Sequence, residues 1–106
     1  MKKLFAKSKN LEIRVFTKKD ITKKYISWLN NKNLMKYSNQ RFYKHNHKSI
    51  ENYFISMKNS NNLFLAIIEK SLNLGHVGNI SVYFDKYNKT AEISILIGEK
   101  KALSLG

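Results

Sequence analysis

Three histidines, a large excess of basic over acidic side chains and a complete lack of cysteine set the chemistry open to this sequence. Without a thiol there can be no disulfide framework, no thiolate metal site and no cysteine nucleophile. His45 and His47 lie two apart in a polar stretch, and His76 is remote from both in sequence. No carboxylate joins them at ligand spacing, so no metal set is expected, and helix-capping or solvent-exposed roles are expected instead. The chain has no Gly-x-Ser-x-Gly elbow, no P-loop and no His-Glu-x-x-His pair, which removes the common serine-hydrolase, nucleotide-hydrolase and zinc-protease signatures.

Charge is the next lever. Twenty Lys and Arg against seven Asp and Glu give a net charge of +13. Such a balance favours an anionic partner: nucleic acid, a membrane surface or a polyphosphate cofactor. Heavy use of Lys, Asn and Ile is also what an AT-rich coding sequence produces. The lysines are dispersed, with no block of five or six like charges of the kind that marks a nucleic-acid-binding tail. Nucleic acid is therefore not the expected partner.

Any chemistry has to be positioned by secondary structure, and the periodicity is readable. Leu11–Phe16 alternates apolar and polar residues as a half-buried strand does. Thr17 and Asp20 form a capping box, and Ile21, Tyr25, Trp28 and Leu29 then recur on one helical face. Asn30-Asn31 closes that helix. Residues 34–46 read as a short helical turn and a loop. A second amphipathic helix is expected over Lys48–Lys58, with Ile50, Tyr53, Phe54 and Met57 inward, and Asn59–Asn62 as a turn. The period then changes to two. Leu63–Glu69 is an apolar run short enough for a strand buried on both faces, and His76–Phe84 and Ala91–Ile97 follow across short turns. Ala91, Ile93, Ile95 and Ile97 share one face of the last strand; Glu92, Ser94 and Leu96 share the other. The predicted order is β-α-α-β-β-β, an α+β class with an antiparallel meander packed against two helices.

The length of 106 residues suits one domain with one modest core. The basic N-terminus lacks the apolar stretch of a signal peptide, and no apolar run reaches the roughly 18–20 residues that span a bilayer. A cytoplasmic protein without membrane partners is expected.

Taken in order, these segments resemble the GNAT superfamily of N-acetyltransferases, nearest its ribosomal-protein-alanine acetyltransferase-like branch. The opening strand, Thr17–Asp20, the Trp28-Leu29-Asn30-Asn31 helix end, Tyr37-Ser38 and His47-Lys48-Ser49 carry the resemblance. So, more strongly, do His76-Val77-Gly78-Asn79-Ile80 and Ala91–Lys100. It spans residues 11–106 and corresponds to the first half to two-thirds of the family fold. The family's cofactor loop, Arg/Gln-x-x-Gly-x-Gly/Ala, aligns with Leu103-Ser104-Leu105-Gly106, where Leu103 replaces the usual Arg or Gln. The sequence stops at the first glycine of that loop. The expectation is a single truncated domain over 1–106, inactive as it stands.

The resemblance implies acetyl-CoA as cosubstrate and a primary amine as acceptor: a protein N-terminus, a polyamine or an amino sugar. It implies Glu92 as the base, with a backbone N–H of the same strand steadying the oxyanion. Ile95, Leu96, Ile97 and Gly98 would pair with pantetheine through their main chain. Ser104, Leu105 and Gly106 would begin the pyrophosphate cradle, and Tyr37, Ser38 and Arg41 would touch the acceptor. Glu92 could instead pair with one of the many lysines or cap a sheet edge. Ile95–Ile97 serve equally as core side chains, and Trp28, Tyr25 and Tyr53 read as core. The competing class is a basic, non-catalytic α+β module binding nucleic acid or another polyanion. The last strand is also expected to be an exposed edge, prone to homodimerisation or aggregation.

Overall fold

The computed structural model describes residues 4–36 and 43–99. Five strands form one antiparallel sheet in chain order: β1 (Leu4–Lys7), β2 (Leu11–Val15), β3 (Leu63–Glu69), β4 (Gly75–Asp85) and β5 (Thr90–Ile97). Helices α1 (Lys23–Asn30) and α2 (His47–Lys58) lie between β2 and β3. The α+β class and the meander expected over residues 63–97 are present, but the order is β-β-α-α-β-β-β.

The additional strand is β1. Its four residues, Leu4-Phe5-Ala6-Lys7, are too few to show a period of two, and they pair with β2 across a register shift between Leu4 and Ala6. The first helix also begins later than its pattern suggests. Thr17 and Asp20 do close a capping box, but around a single 3-10 turn over Lys18–Asp20. Thr22 is the N-cap of α1, its hydroxyl accepting from Tyr25 N–H at 3.2 Å. Asp20 is held away from helix duty by Arg14, which grips its carboxylate bidentately at 2.7 and 2.8 Å.

Both helices cover one face of the sheet. Phe16 from the end of β2, Phe64 and Ala66 from β3, Ile21, Tyr25 and Trp28 from the α1 region, and Ile50 and Met57 from α2 make the buried core there. Phe16 and Phe64 stack with ring centroids 4.3 Å apart, an arrangement worth a few tenths to about 1.5 kcal/mol beyond its area. The opposite face is apolar too. Register places Ile13 against Ile67, Val15 against Leu65, Leu65 against Ile80, and Ile80 against Ile95. Leu65 and Ile67 are buried, so the central strand is covered on both faces as its apolar run implied, whereas Ile93 and Ile95 are 64% and 63% exposed. The reading of Ile95 as a core side chain is thus corrected. β5 is a sheet edge, and its isoleucines point away from both helices.

Candidate functional site

The site is assembled on β4 and β5 where they face the helices. Along β4, Asn79, Ser81 and Tyr83 point to the helical side, and the strand's period of two puts Gly78, Ile80 and Val82 on the other. Ser94 and Leu96 continue that surface onto β5, opposite Ser81 and Asn79 respectively. With Tyr25 of α1, Tyr53 of α2 and the segment Tyr43–His45, they enclose a cavity of about 390 Å³. Its walls combine aromatic rings, hydroxyls and one amide with the apolar side chains of Leu29, Met35, Ile50 and Leu96. Lys44 contributes a positive charge, and no carboxylate lies among the described lining residues.

The polar floor is cross-linked. Tyr53 Oη meets Ser81 Oγ at 3.3 Å and makes a short contact with Tyr83 Oη. Burial raises the Tyr53 phenol above its usual range, a rise that Ser81 opposes and Tyr83 reinforces. Tyr25 is likewise raised by burial; the nearby Asn79 amide opposes this without reaching hydrogen-bond geometry. Deeper in, His76 Nε2 lies 2.6 Å from Asn79 Oδ1. His76 Nδ1 and Asn79 Nδ2 are buried with no hydrogen-bond partner. Two orphaned buried polar atoms are costly, and the Asn79 amide leaves an unused donor beside the cavity it lines.

His76 departs from its expected capping or solvent-exposed role. Its ring is boxed by Phe16, Tyr25 and Trp28 at centroid distances of 5.9, 5.7 and 5.1 Å. Burial pushes its pKa down, against the opposing hydrogen bond to Asn79, and so favours the neutral ring. His47 is the exposed first residue of α2, and the His45 backbone is clamped by Asn30, whose amide bonds both its N–H and its C=O at 2.7 Å. No group of three potential metal ligands occurs among the described residues.

Glu92 is exposed on β5 and stands directly opposite Tyr83 in the ladder. Directly opposed side chains share a face, so Glu92 lies on the helical side, next to a wall of the cavity. Leu96 lines that cavity, and Ile95 lies on the opposite face at the same edge. Gly98 follows, its N–H donating to Val77 O at 2.8 Å and its backbone seated on the Trp28 indole, so close that a Cβ would run into the ring. Trp28 is buried core, as read; Tyr25 and Tyr53 serve both core and cavity. Tyr37, Ser38 and Arg41, and likewise Ser104, Leu105 and Gly106, lie outside the described residues. The set that sequence reasoning missed is Asn79, Ser81 and Tyr83. Their signal was present, as polar residues alternating with apolar ones inside a strand beside the largely apolar β3.

Among the described residues no helix is long and apolar enough to cross a membrane. The chain matches no protein-family model, no curated protein and no solved structure.

Proposed function

We propose that this chain belongs to a GNAT-type N-acetyltransferase that moves an acetyl group from acetyl-CoA to a primary amine. One observation carries the reading: β5, an edge strand of the sheet among the described residues, borders a hydroxyl-lined cavity, with a carboxylate on the cavity side of that strand. The extended pantetheine arm would lie along the β5 edge at Ile95–Gly98, donating to and accepting from main-chain groups as an added strand does. The acceptor amine would occupy the cavity. Glu92 removes one proton from the ammonium; the nitrogen lone pair attacks the thioester carbonyl; the C–N bond forms as the C–S bond breaks, and a second proton passes from the nitrogen to the departing sulfur. An outward N–H of β5 faces the carbonyl oxygen as negative charge builds there.

The cavity's composition bears on the acceptor. A polyamine calls for carboxylates, and the described lining offers none while contributing Lys44. With Glu92 beside the cavity and Lys44 in its wall, an amine carrying a single positive charge suits it better than a polyamine. The polyanion-binding alternative draws less support: Trp28, Phe16 and Tyr25 are buried in the core rather than arrayed as a stacking platform.

Titration with acetyl-CoA, followed by backbone amide NMR shifts, tests the reading because it registers weak binding. Shifts concentrated at residues 92–98 are expected. Saturating acetyl-CoA with no shift along β5 would remove the proposal. In a form that turns over, Glu92→Gln is expected to lower the rate by on the order of a hundredfold and to flatten the acid limb of the pH profile. Unchanged kinetics would exclude Glu92 as the base.

A further inference from the structure

We propose that β5, when its outward groups are not taken by the pantetheine arm of the reading above, is a self-recognition edge. It adds antiparallel to β5 of a second copy of this chain about a two-fold axis at Ser94, so that the second copy and pantetheine exclude one another. The argument begins with the direction of its backbone groups. Gly98 N–H donates to Val77 O, and Ile97 stands opposite Gly78. In an antiparallel ladder both groups of a residue point to the same side, and the side alternates. Thr90, Glu92, Ser94 and Leu96 therefore bond inward to β4. Ala91, Ile93, Ile95 and Ile97 turn their N–H and C=O outward, where no strand among the described residues meets them.

Four outward residues spaced by two are symmetric about Ser94. A two-fold axis there sets Ile93 against Ile95 of the second copy and Ala91 against Ile97, so every outward group from 91 to 97 is paired. The same register sorts the side chains. Ile93 and Ile95, each nearly two-thirds exposed in the single chain, come together on the apolar face. On the helical face Ser94 meets Ser94, and Glu92 meets Leu96. No like charges are opposed, the condition that cross-strand pairing most needs.

Charge singles out the same strand. The chain carries twenty basic residues, yet Thr90–Ile97 holds none. Lysine on an edge strand is a common device against strand addition, and in so basic a chain its absence over eight residues leaves this edge open. The rest of the molecule works against association, because each copy has a net charge of +13. Self-pairing is therefore expected to strengthen as salt screens that repulsion.

Because the chain contains no cysteine, single cysteine variants report the register without ambiguity. In the proposed pairing the two Ser94 residues form a non-hydrogen-bonded pair, with Cα atoms about 4.5 Å apart, within disulfide reach. Ser94→Cys is expected to oxidise to a covalent dimer much faster than Tyr87→Cys, whose side chain is 98% exposed in the β4–β5 turn. Sedimentation of the unmodified chain should show a dimer that grows with salt. The double variant Ile93→Lys, Ile95→Lys should weaken it by on the order of tenfold or more. Circular dichroism of that variant would confirm that it remains folded. Equal oxidation rates for the two cysteine variants, a monomer at every salt concentration, or a dimer untouched by the two lysines would each overturn the proposal.

Discussion

The two edges of the sheet are built on opposite plans. β1 has four residues, ends in Lys7 and meets its neighbour across a register shift. β5 has eight residues, keeps an unbroken register with β4 over its length, carries no basic side chain and exposes Ile93 and Ile95. Shortness, irregularity and lysine are devices that blunt an edge against further pairing; one edge uses all three and the other none. The flanks behind them differ as well. Beside β1, β2 is pinned by a buried ion pair between Arg14 and Asp20. Beside β4, β5 is held by close backbone approach, at Gly98 over Trp28 and at Gly78 under the Leu96 carbonyl. The β1 side is closed by charge and hydrogen bonds, whereas the β5 side is closed toward the core by shape and open toward its edge.

Removing the charge that closes the first flank should have the largest effect. Asp20→Ala leaves Arg14 buried and unpaired and is expected to cost about 3 kcal/mol in denaturant unfolding. In the unaltered protein, burial raises the Asp20 pKa, but Arg14 and the Thr17 backbone outweigh it and hold the carboxyl at about 2. A depressed carboxylate contributes stability above its unfolded value of about 3.9 and loses it as pH falls toward the folded value. Acid unfolding between those limits should therefore be shallower in Asp20→Ala.

Next in size is the shape that closes the second flank. Gly98→Ala places a methyl into the Trp28 indole and is expected to lower stability by about 2 kcal/mol, read as a fall in Tm. An unaltered Tm would mean that β5 does not rest on Trp28. A smaller effect is expected from His76, in its aromatic box on β4. Its lowered pKa gives stability that is present above the unfolded value of about 6.5 and is lost as pH falls below it. His76→Phe should flatten the dependence of stability on pH in that mildly acid range. The smallest change in stability belongs to the open edge. Replacing Ile93 and Ile95 by lysine gives β5 the chemistry of β1, yet should leave chain stability within about 0.5 kcal/mol, since both side chains are largely exposed.

Periodicity located the elements that pack on both sides. Tyr25 and Trp28 at helical spacing, and the unbroken apolar run of Leu63–Glu69, lie where their spacing implied. It failed where neighbours outside the local window decide. Four residues cannot display a strand period, and β1 exists because β2 offers it a partner. The Thr17–Asp20 box is satisfied as read but serves a 3-10 turn, because Arg14 claims the carboxylate. His76 looked like a surface residue in sequence, since nothing local announces that Phe16, Tyr25 and Trp28 converge on it. The cavity was half legible. Glu92 and Leu96 were named only through the family resemblance, as a base and a main-chain contact, and Asn79, Ser81 and Tyr83 were given no site role. Only the docking of α1 and α2 onto that face turns the alternation into a lining.

The sheet's order has a consequence for how the molecule is made. β3, β4 and β5 are joined by short turns, one of them tightened by the Asp85 carboxylate, which accepts from the Tyr87 and Asn88 N–H groups at 3.0 and 3.2 Å. β2 reaches β3 only after both helices have intervened. Contacts near in sequence close at little entropic cost, and distant ones must wait for their loop to be ordered. The hairpins of the C-terminal meander are thus expected to form first and the β2–β3 seam last. Because α1 and α2 are tethered on both sides of that seam, the cavity they roof comes into being only when it zips shut. Any ligand held there would consequently slow the seam's opening, and amide exchange along β2 would report its arrival.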